Sequence, residues 1–265
     1  MLDIISVPPK NDFTFAVMEN MDLFIQRSEQ NYQNCVPHIS IDCVVFGFYG
    51  GTLKVLLLKM KGQKKWGLPG GFLLKEEDAD DAAQRILTAR TGATKVFLEQ
   101  FKTFTQPNRS EGALKHMPDG IWFKQRFISI GYYALVNYQD IEPKPDEISD
   151  ACEWKNIDEV PELMMDHRTI FDAALRNLRI ELNYKPIGYN LLPEEFTMPE
   201  LQSLYETLLG RTLNRGNFLR KMLAYDILIK HDKTRTIGAH RSPILYSFDI
   251  TKYNTALEGG MSEAW

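Results

Sequence analysis

One run constrains this chain more than any other: Trp66-Gly67-Leu68-Pro69-Gly70-Gly71-Phe72, then Glu76-Glu77, Arg85 and Thr91-Gly92. The paired glycines predict a tight loop, because glycine tolerates positive φ. From Asp78 to Arg90, the residues Ala79, Ala82, Ala83, Ile86 and Leu87 recur at three- and four-residue spacings. That spacing predicts a helix with one buried stripe. Gly92 then reads as its C-cap.

The flanking segments supply a sheet. Ile39 to Phe48 is apolar and β-branched, reading as a buried strand, and Gly50-Gly51 turns the chain into a hairpin partner over Leu53 to Met60. Val96 to Phe104 and Phe127 to Val136 are also strand-like, and Thr105 to Lys124 between them is a long polar loop of the kind used for binding. Asp158 to Leu163 and His167 to Leu182 read as closing helices. Asp42 inside the first strand is either a ligand contact or a paired carboxylate. His167 at a helix start reads more readily as a surface residue.

Composition excludes several classes. With 44% hydrophobic and 25% charged residues, the chain has a globular composition. No apolar run suits a bilayer, and the first ten residues lack the pattern of a signal peptide. The three cysteines, Cys35, Cys43 and Cys152, form no metal-binding pattern and are expected to be reduced in a cytoplasmic protein. No cofactor and no metal are expected.

Charge is unevenly spread. Residues 210–241 hold eight basic residues against two acids, a net of +6, which leaves −10 for the rest of a chain whose total is −4. An acidic body with one basic module points to a nucleic-acid partner for that module. Its punctuation is clear. Thr197 and Glu200 form a capping box, Phe196 and Leu201 a hydrophobic staple, and Gly210 ends that helix. Asn214 caps a second helix whose Phe218, Met222 and Tyr225 can face inward. Two strand-like segments follow, around 227–230 and 244–248, with a polar basic loop between them. Helix, turn, helix and hairpin make a winged helix. Its candidate DNA-binding residues are Arg211, Asn214, Arg215, Asn217, Arg220, Lys221, Lys233, Arg235 and Arg241. Arginine and lysine neutralise phosphates, and arginine and asparagine can read base edges. A protein-docking module remains the alternative for such helices.

The run from Gly71 to Gly92 resembles a Nudix box: Gly71, Glu77, Arg85 and Gly92 fall on the family pattern. Ile86, Ala89 and Arg90 stand where that family places metal-binding glutamates. Over about Ile39 to Tyr253 the chain resembles the Nudix-related transcriptional regulators. The passages that carry this likeness are Pro-Ile-Gly-Tyr-Asn-Leu-Leu-Pro-Glu-Glu-Phe-Thr, Leu-Gln-Ser-Leu-Tyr-Glu and Asn-Phe-Leu-Arg-Lys. The resemblance implies a Nudix-type α/β/α sandwich with a mixed sheet (α+β or α/β), followed by a winged helix-turn-helix domain. It implies a homodimer that binds operator DNA and responds to a small-molecule effector. That effector would be ADP-ribose-like, or a sugar such as the pentose arabinose, with the sugar slightly ahead. Arg126 matches a family position before a strand. Effector-binding candidates are Asp42, Trp66, Phe72, Arg109 and Arg126. Gly216 and Leu219 depart from the family, where basic residues are expected.

The organisation expected is a helical N-terminal extension over 1–36, an effector domain over 37–183, a linker over 184–192, a DNA-binding domain over 193–255 and a tail over 256–265. Losing the metal ligands implies a domain that binds without cleaving. The alternative is a Nudix hydrolase of a nucleoside diphosphate derivative that holds metal through atypical acids such as Glu76, Glu77 or Asp81.

Overall fold

The computed structural model describes residues 12–92, 96–110, 112, 114–115, 118–182, 185–234 and 243–259. Helix α1 (Asp12–Asn34) leads directly into β1 (Cys35–Tyr49), so the last residues of the expected extension already belong to the sheet. Then come β2 (Thr52–Met60), β3 (Trp66–Gly67), β4 (Gly70–Leu74), α2 (Ala79–Thr91), β5 (Phe97–Phe104), β6 (Ile128–Val136), β7 (Ser149–Asn156) and α3 (His167–Glu181). The strands form a seven-stranded sheet in the order β3-β2-β1-β6-β5, with β4 on β1 and β7 on β2. Among the described strands β1 and β6 pair in parallel and the other pairs are antiparallel, so the sheet is mixed.

The pleat of β1 explains the layers. Successive side chains of a strand point to opposite faces. Ile41, Cys43 and Val45 pack in one cluster with Ala82, Ala83, Ile86 and Leu87 of α2. Val44 and Phe46 belong to the other cluster, with Ile170, Phe171, Ala174 and Leu178 of α3. The result is an α/β/α sandwich.

Several expectations are corrected. The glycines at 70 and 71 are not a positive-φ loop, since neither is among the positive-φ glycines, and both lie in β4. They are needed for space: a Cβ on Gly70 would lie 2.9 Å from both Asp42 Oδ1 and the Ile41 carbonyl, and one on Gly71 2.9 Å from Ile86 Cδ1. The expected helix at 158–163 is a short 3-10 turn at Ile157–Glu159. Beyond it the chain runs extended, and Leu163 bridges to Trp66. Strand β7 is an addition to the reading.

The second unit consists of β8 (Phe196–Thr197), α4 (Met198–Leu209), α5 (Arg215–Ala224), β9 (Leu228–Thr234), β10 (Ile244–Phe248) and α6 (Ile250–Gly259). Its sheet order is β8-β10-β9. The capping box of Thr197 and Glu200 is formed, Asn214 accepts from Asn217 N, and Gly210 ends α4 at φ 68°. Helix α6 extends past residue 255, where a tail was expected.

The segment expected as a linker is a packed seam. Ile187, Leu191 and Leu192 are buried in one cluster with Phe46 and Leu178 on one side and Phe196, Leu201 and Leu204 on the other. Thr207 Oγ1 donates to the Gly51 carbonyl at 3.0 Å, and Arg179 Nε to the Leu208 carbonyl at 2.9 Å. Among the described residues, no helix is long and apolar enough to cross a membrane, and all three cysteines are free and buried.

Candidate effector cavity and nucleic-acid interface

A cavity of about 240 Å3 opens beside the Gly70-Gly71 strand, lined from α2 by Arg90 and from the start of α3 by His167. Its walls are mostly apolar: Leu58, Met60, Leu68, Phe72, Phe123 and Phe127 among them. The aromatic wall is built by Phe72, which packs against Phe123 and Phe127 with ring centroids 5.7 and 5.1 Å apart. Trp122 stands behind them, its centroid 6.1 Å from that of Phe72. The expected helical extension braces this wall. Ser28 Oγ of α1 accepts the Trp122 amide at 2.5 Å, and the Tyr32 hydroxyl donates to the Gly120 carbonyl at 2.8 Å.

A polar network forms the cavity floor. Asp42, only 7% exposed, comes from β1. Arg109, from the loop after β5, donates through Nε and Nη2 to the two Asp166 oxygens, each at 2.9 Å. Its Nη2 also reaches Asp42 Oδ2 at 3.0 Å. Ser129 Oγ donates to Asp42 Oδ2 at 2.5 Å. Charge-assisted bonds of this kind satisfy buried carboxylates. Burial alone pushes the Asp42 carboxyl up; its neighbours His167 and Arg109, with the Ser129 hydroxyl, hold it below the usual carboxylate range.

His167 is buried, contrary to the surface reading. Its Nδ1 accepts the Leu68 amide at 2.8 Å, and Nε2 lies 3.7 Å from Asp42 Oδ1. Accepting at Nδ1 assigns the proton of the neutral ring to Nε2, facing the carboxylate. Burial pushes the imidazole below its ordinary value, against the pull of Asp42 and Asp166. A neutral donor beside a shared carboxylate and guanidinium is suited to holding hydroxyl groups.

Of the sequence candidates, Asp42, Phe72 and Arg109 come together here. Trp66 and Arg126 do not line the cavity. Trp66 lies in β3, its ring covered by Lys155 Nζ at 4.4 Å. The exposed Arg126 donates to the Thr105 carbonyl at 3.2 Å. Sequence reasoning missed Asp166, Ser129, Phe123 and Phe127. The adjacent Asp166-His167 pair at a helix start was the one available signal.

A magnesium ion needs hard oxygen ligands in octahedral array, and the box positions 86, 89 and 90 hold Ile86, Ala89 and Arg90. Ile86 is buried against Gly71. Arg90 lines the cavity and pairs with Asp146 at 2.5 Å. Glu77 is committed elsewhere: Arg85 donates to both its oxygens at 2.9 and 2.5 Å, and Leu74 N to Oε1 at 2.9 Å. Arg85 thereby holds the Glu77 carboxyl below the usual range. Glu76 and Asp81 are exposed. Among the described residues, no cluster of metal-binding side chains occurs.

On the winged helix, Phe218 and Met222 turn the inner face of α5 into the core. Arg211, Arg215, Asn217 and Arg220 are exposed, and Lys221 is half-buried. Asn214 Oδ1 is taken by its capping bond from Asn217 N at 3.0 Å. Arg220 donates to Asn217 Oδ1 at 2.6 Å, which orients the guanidinium along the helix face. Lys233 on β9 lies 3.5 Å from Glu195. Arg235 and Arg241 lie outside the described residues.

The family model of the Nudix domain matches residues 36–174, and that of the NrtR DNA-binding winged helix domain matches residues 188–248. The chain belongs to the Nudix family, and its second domain makes it a Nudix-related transcriptional regulator. It is similar to the ADPR responsive transcriptional repressor NtrR of Acinetobacter baylyi, 29% identical over 225 residues, 82% of this chain and 84% of that protein. It is also similar to Shewanella oneidensis NrtR, solved in complex with a 27mer DNA. The TM-score is 0.68 at 27% identity, covering 82% of this chain and 95% of that one. A MutT/nudix family protein from Enterococcus faecalis shares the fold, with TM-score 0.62 at 21% identity over 81% and 88% of the two chains.

Proposed function

We propose that this chain is a homodimeric repressor that binds operator DNA through α5 and its wing, and releases or grips it according to a ribose-bearing effector in the Nudix cavity. One observation carries the reading: the Asp42–Arg109–Asp166 network with His167 faces an apolar, aromatic-walled cavity, in a domain whose core continues into the winged helix. Vicinal hydroxyls match such a floor, and a ring face matches the phenylalanines. The effector class proposed first is ADP-ribose, in keeping with the name of the Acinetobacter relative. A free pentose such as arabinose is the second reading. It is favoured because the cavity arginines already face carboxylates, Arg109 with Asp42 and Asp166, Arg90 with Asp146, which leaves less positive charge for a diphosphate.

The reading includes no hydrolysis. Without carboxylates at 86, 89 and 90, nothing would generate a metal-bound nucleophile there. The effector must bind one arrangement of the dimer better than another to shift DNA binding. The experiment is selection of genomic fragments by the purified chain, followed by titration of the retained duplex with ADP-ribose and with arabinose. Selective retention altered by one of them is expected. Uniform weak retention refutes the regulator reading. Magnesium-dependent phosphate release from ADP-ribose, after alkaline phosphatase treatment, refutes the non-catalytic one.

A further inference from the structure

The outward face of α5 holds groups that phosphate binding does not require. With Phe218 and Met222 buried, positions 216, 219, 220 and 223 form one stripe at helical spacing. Along it stand Gly216, Leu219, Arg220 and Leu223. Leu219 is 36% and Leu223 48% exposed, one turn apart, within a surface otherwise rich in Arg215, Arg220 and Lys221. At Gly216 the nearest atom to an added Cβ would be Asn214 Oδ1 at 3.5 Å, so no side chain stands over the helix start and its backbone can approach a surface closely.

A winged helix presents its second helix to the major groove. The apolar group displayed there is the 5-methyl of thymine. Cationic residues flanking an apolar strip match phosphates flanking such methyls. We propose that Leu219 reads a thymine 5-methyl group in the operator, with Arg220, held by Asn217, anchoring the register beside it. This rests on the DNA-binding reading above.

The test uses the full chain and the duplex retained from genomic selection, with each thymine replaced in turn by uracil, which removes the methyl alone. Wild type is expected to lose affinity about fourfold at a thymine that Leu219 covers, the value of one buried methyl-sized group. Leu219→Ala is expected to be indifferent at that position, while Arg220→Ala binds more weakly overall but keeps the uracil sensitivity. Because Leu219 is exposed, thermal unfolding of Leu219→Ala should match wild type. Wild type blind to every uracil overturns the inference, as does a sensitivity that survives Leu219→Ala. A changed sedimentation of DNA-free Leu219→Ala also overturns it, marking a protein contact. If no fragment is retained selectively, the DNA-binding reading falls and this inference with it.

Discussion

Replacing Arg109 with methionine tests the cavity floor directly. The side chain is 5% exposed and faces two carboxylates, Asp42 and Asp166, whose side chains are each 10% exposed. Methionine keeps much of the volume and removes the charge, taking the guanidinium from Asp166 and leaving Asp42 to the Ser129 hydroxyl and His167. Breaking a buried ion pair from one side costs about 3–5 kcal/mol. The bond to Ser40 Oγ, long at 3.4 Å, adds little. The sign with pH is diagnostic. In wild type the Asp42 carboxyl is held below its ordinary value of 3.8, so it stabilises the fold above that range and the contribution is lost as pH falls through the folded value. Without Arg109, burial should raise that carboxyl instead. Stability would then recover as pH falls from 7 to 5.5, a range in which the wild-type Asp42 carboxylate stays ionised and contributes no slope of its own. Urea unfolding of Arg109→Met at pH 7 and pH 5.5 measures both effects. Asp42→Asn on that background should cost less than it does alone, since the charge it removes has already lost its guanidinium partner. A loss under about 1 kcal/mol at pH 7, with an unchanged pH slope, would refute the buried-network reasoning.

Three further outcomes are expected. Gly71→Ala should destabilise by about 1–3 kcal/mol through its clash with Ile86. Ile86→Ala on the same chain should recover part of that cost, as read by urea midpoints. Thr197→Ala removes the capping box and should cost about 1 kcal/mol; a cost near zero would show the helix start to be held by packing alone. The His167 imidazole sits below its ordinary value of 6.5, so the unfolded chain takes up protons first and wild-type stability should fall as pH drops below that value. His167→Gln should flatten the slope between pH 6.5 and 5, and an unchanged slope would place the titration elsewhere.

What was legible in the sequence follows from periodicity. Helix α2 and its Gly92 cap, β1, β2, β5 and β6, and the whole helix-turn-helix carry local signals strong enough to place them. The Gly70-Gly71 pair was visible, but its cause was not. A positive-φ turn and a close approach to Ile41, Asp42 and Ile86 give the same dipeptide, and only the strand pairing distinguishes them. Strand β7 reads Ser-Asp-Ala-Cys-Glu-Trp-Lys-Asn and lacks clear alternation. Pairing with β2 forms it rather than propensity. The cavity floor joins positions 42, 109, 129, 166 and 167, which no local window spans. Arg109 was accessible as an arginine in a long loop. Its partner Asp166 became visible only when α3 was docked over β1.

The seam between the two units joins their cores. Its leucines are shared: Leu204 of α4 is fully buried, and its Cδ2 lies 3.4 Å from where a Cβ on Gly188 would stand. A continuous core across a domain boundary should make both units unfold together. Three of the four tryptophans, Trp66, Trp122 and Trp154, lie in the Nudix sheet or its loops, and none of the described winged-helix residues is a tryptophan. With Trp265 replaced by phenylalanine, tryptophan fluorescence therefore follows the first unit alone. Leu204→Ala, a change in the second unit, should cost about 2–5 kcal/mol. It should move the fluorescence midpoint in urea together with the far-ultraviolet circular dichroism midpoint. If the fluorescence midpoint stays fixed while the dichroism splits, the units are uncoupled. In that case, effector binding in the cavity would have no route through the fold to the DNA-facing helix.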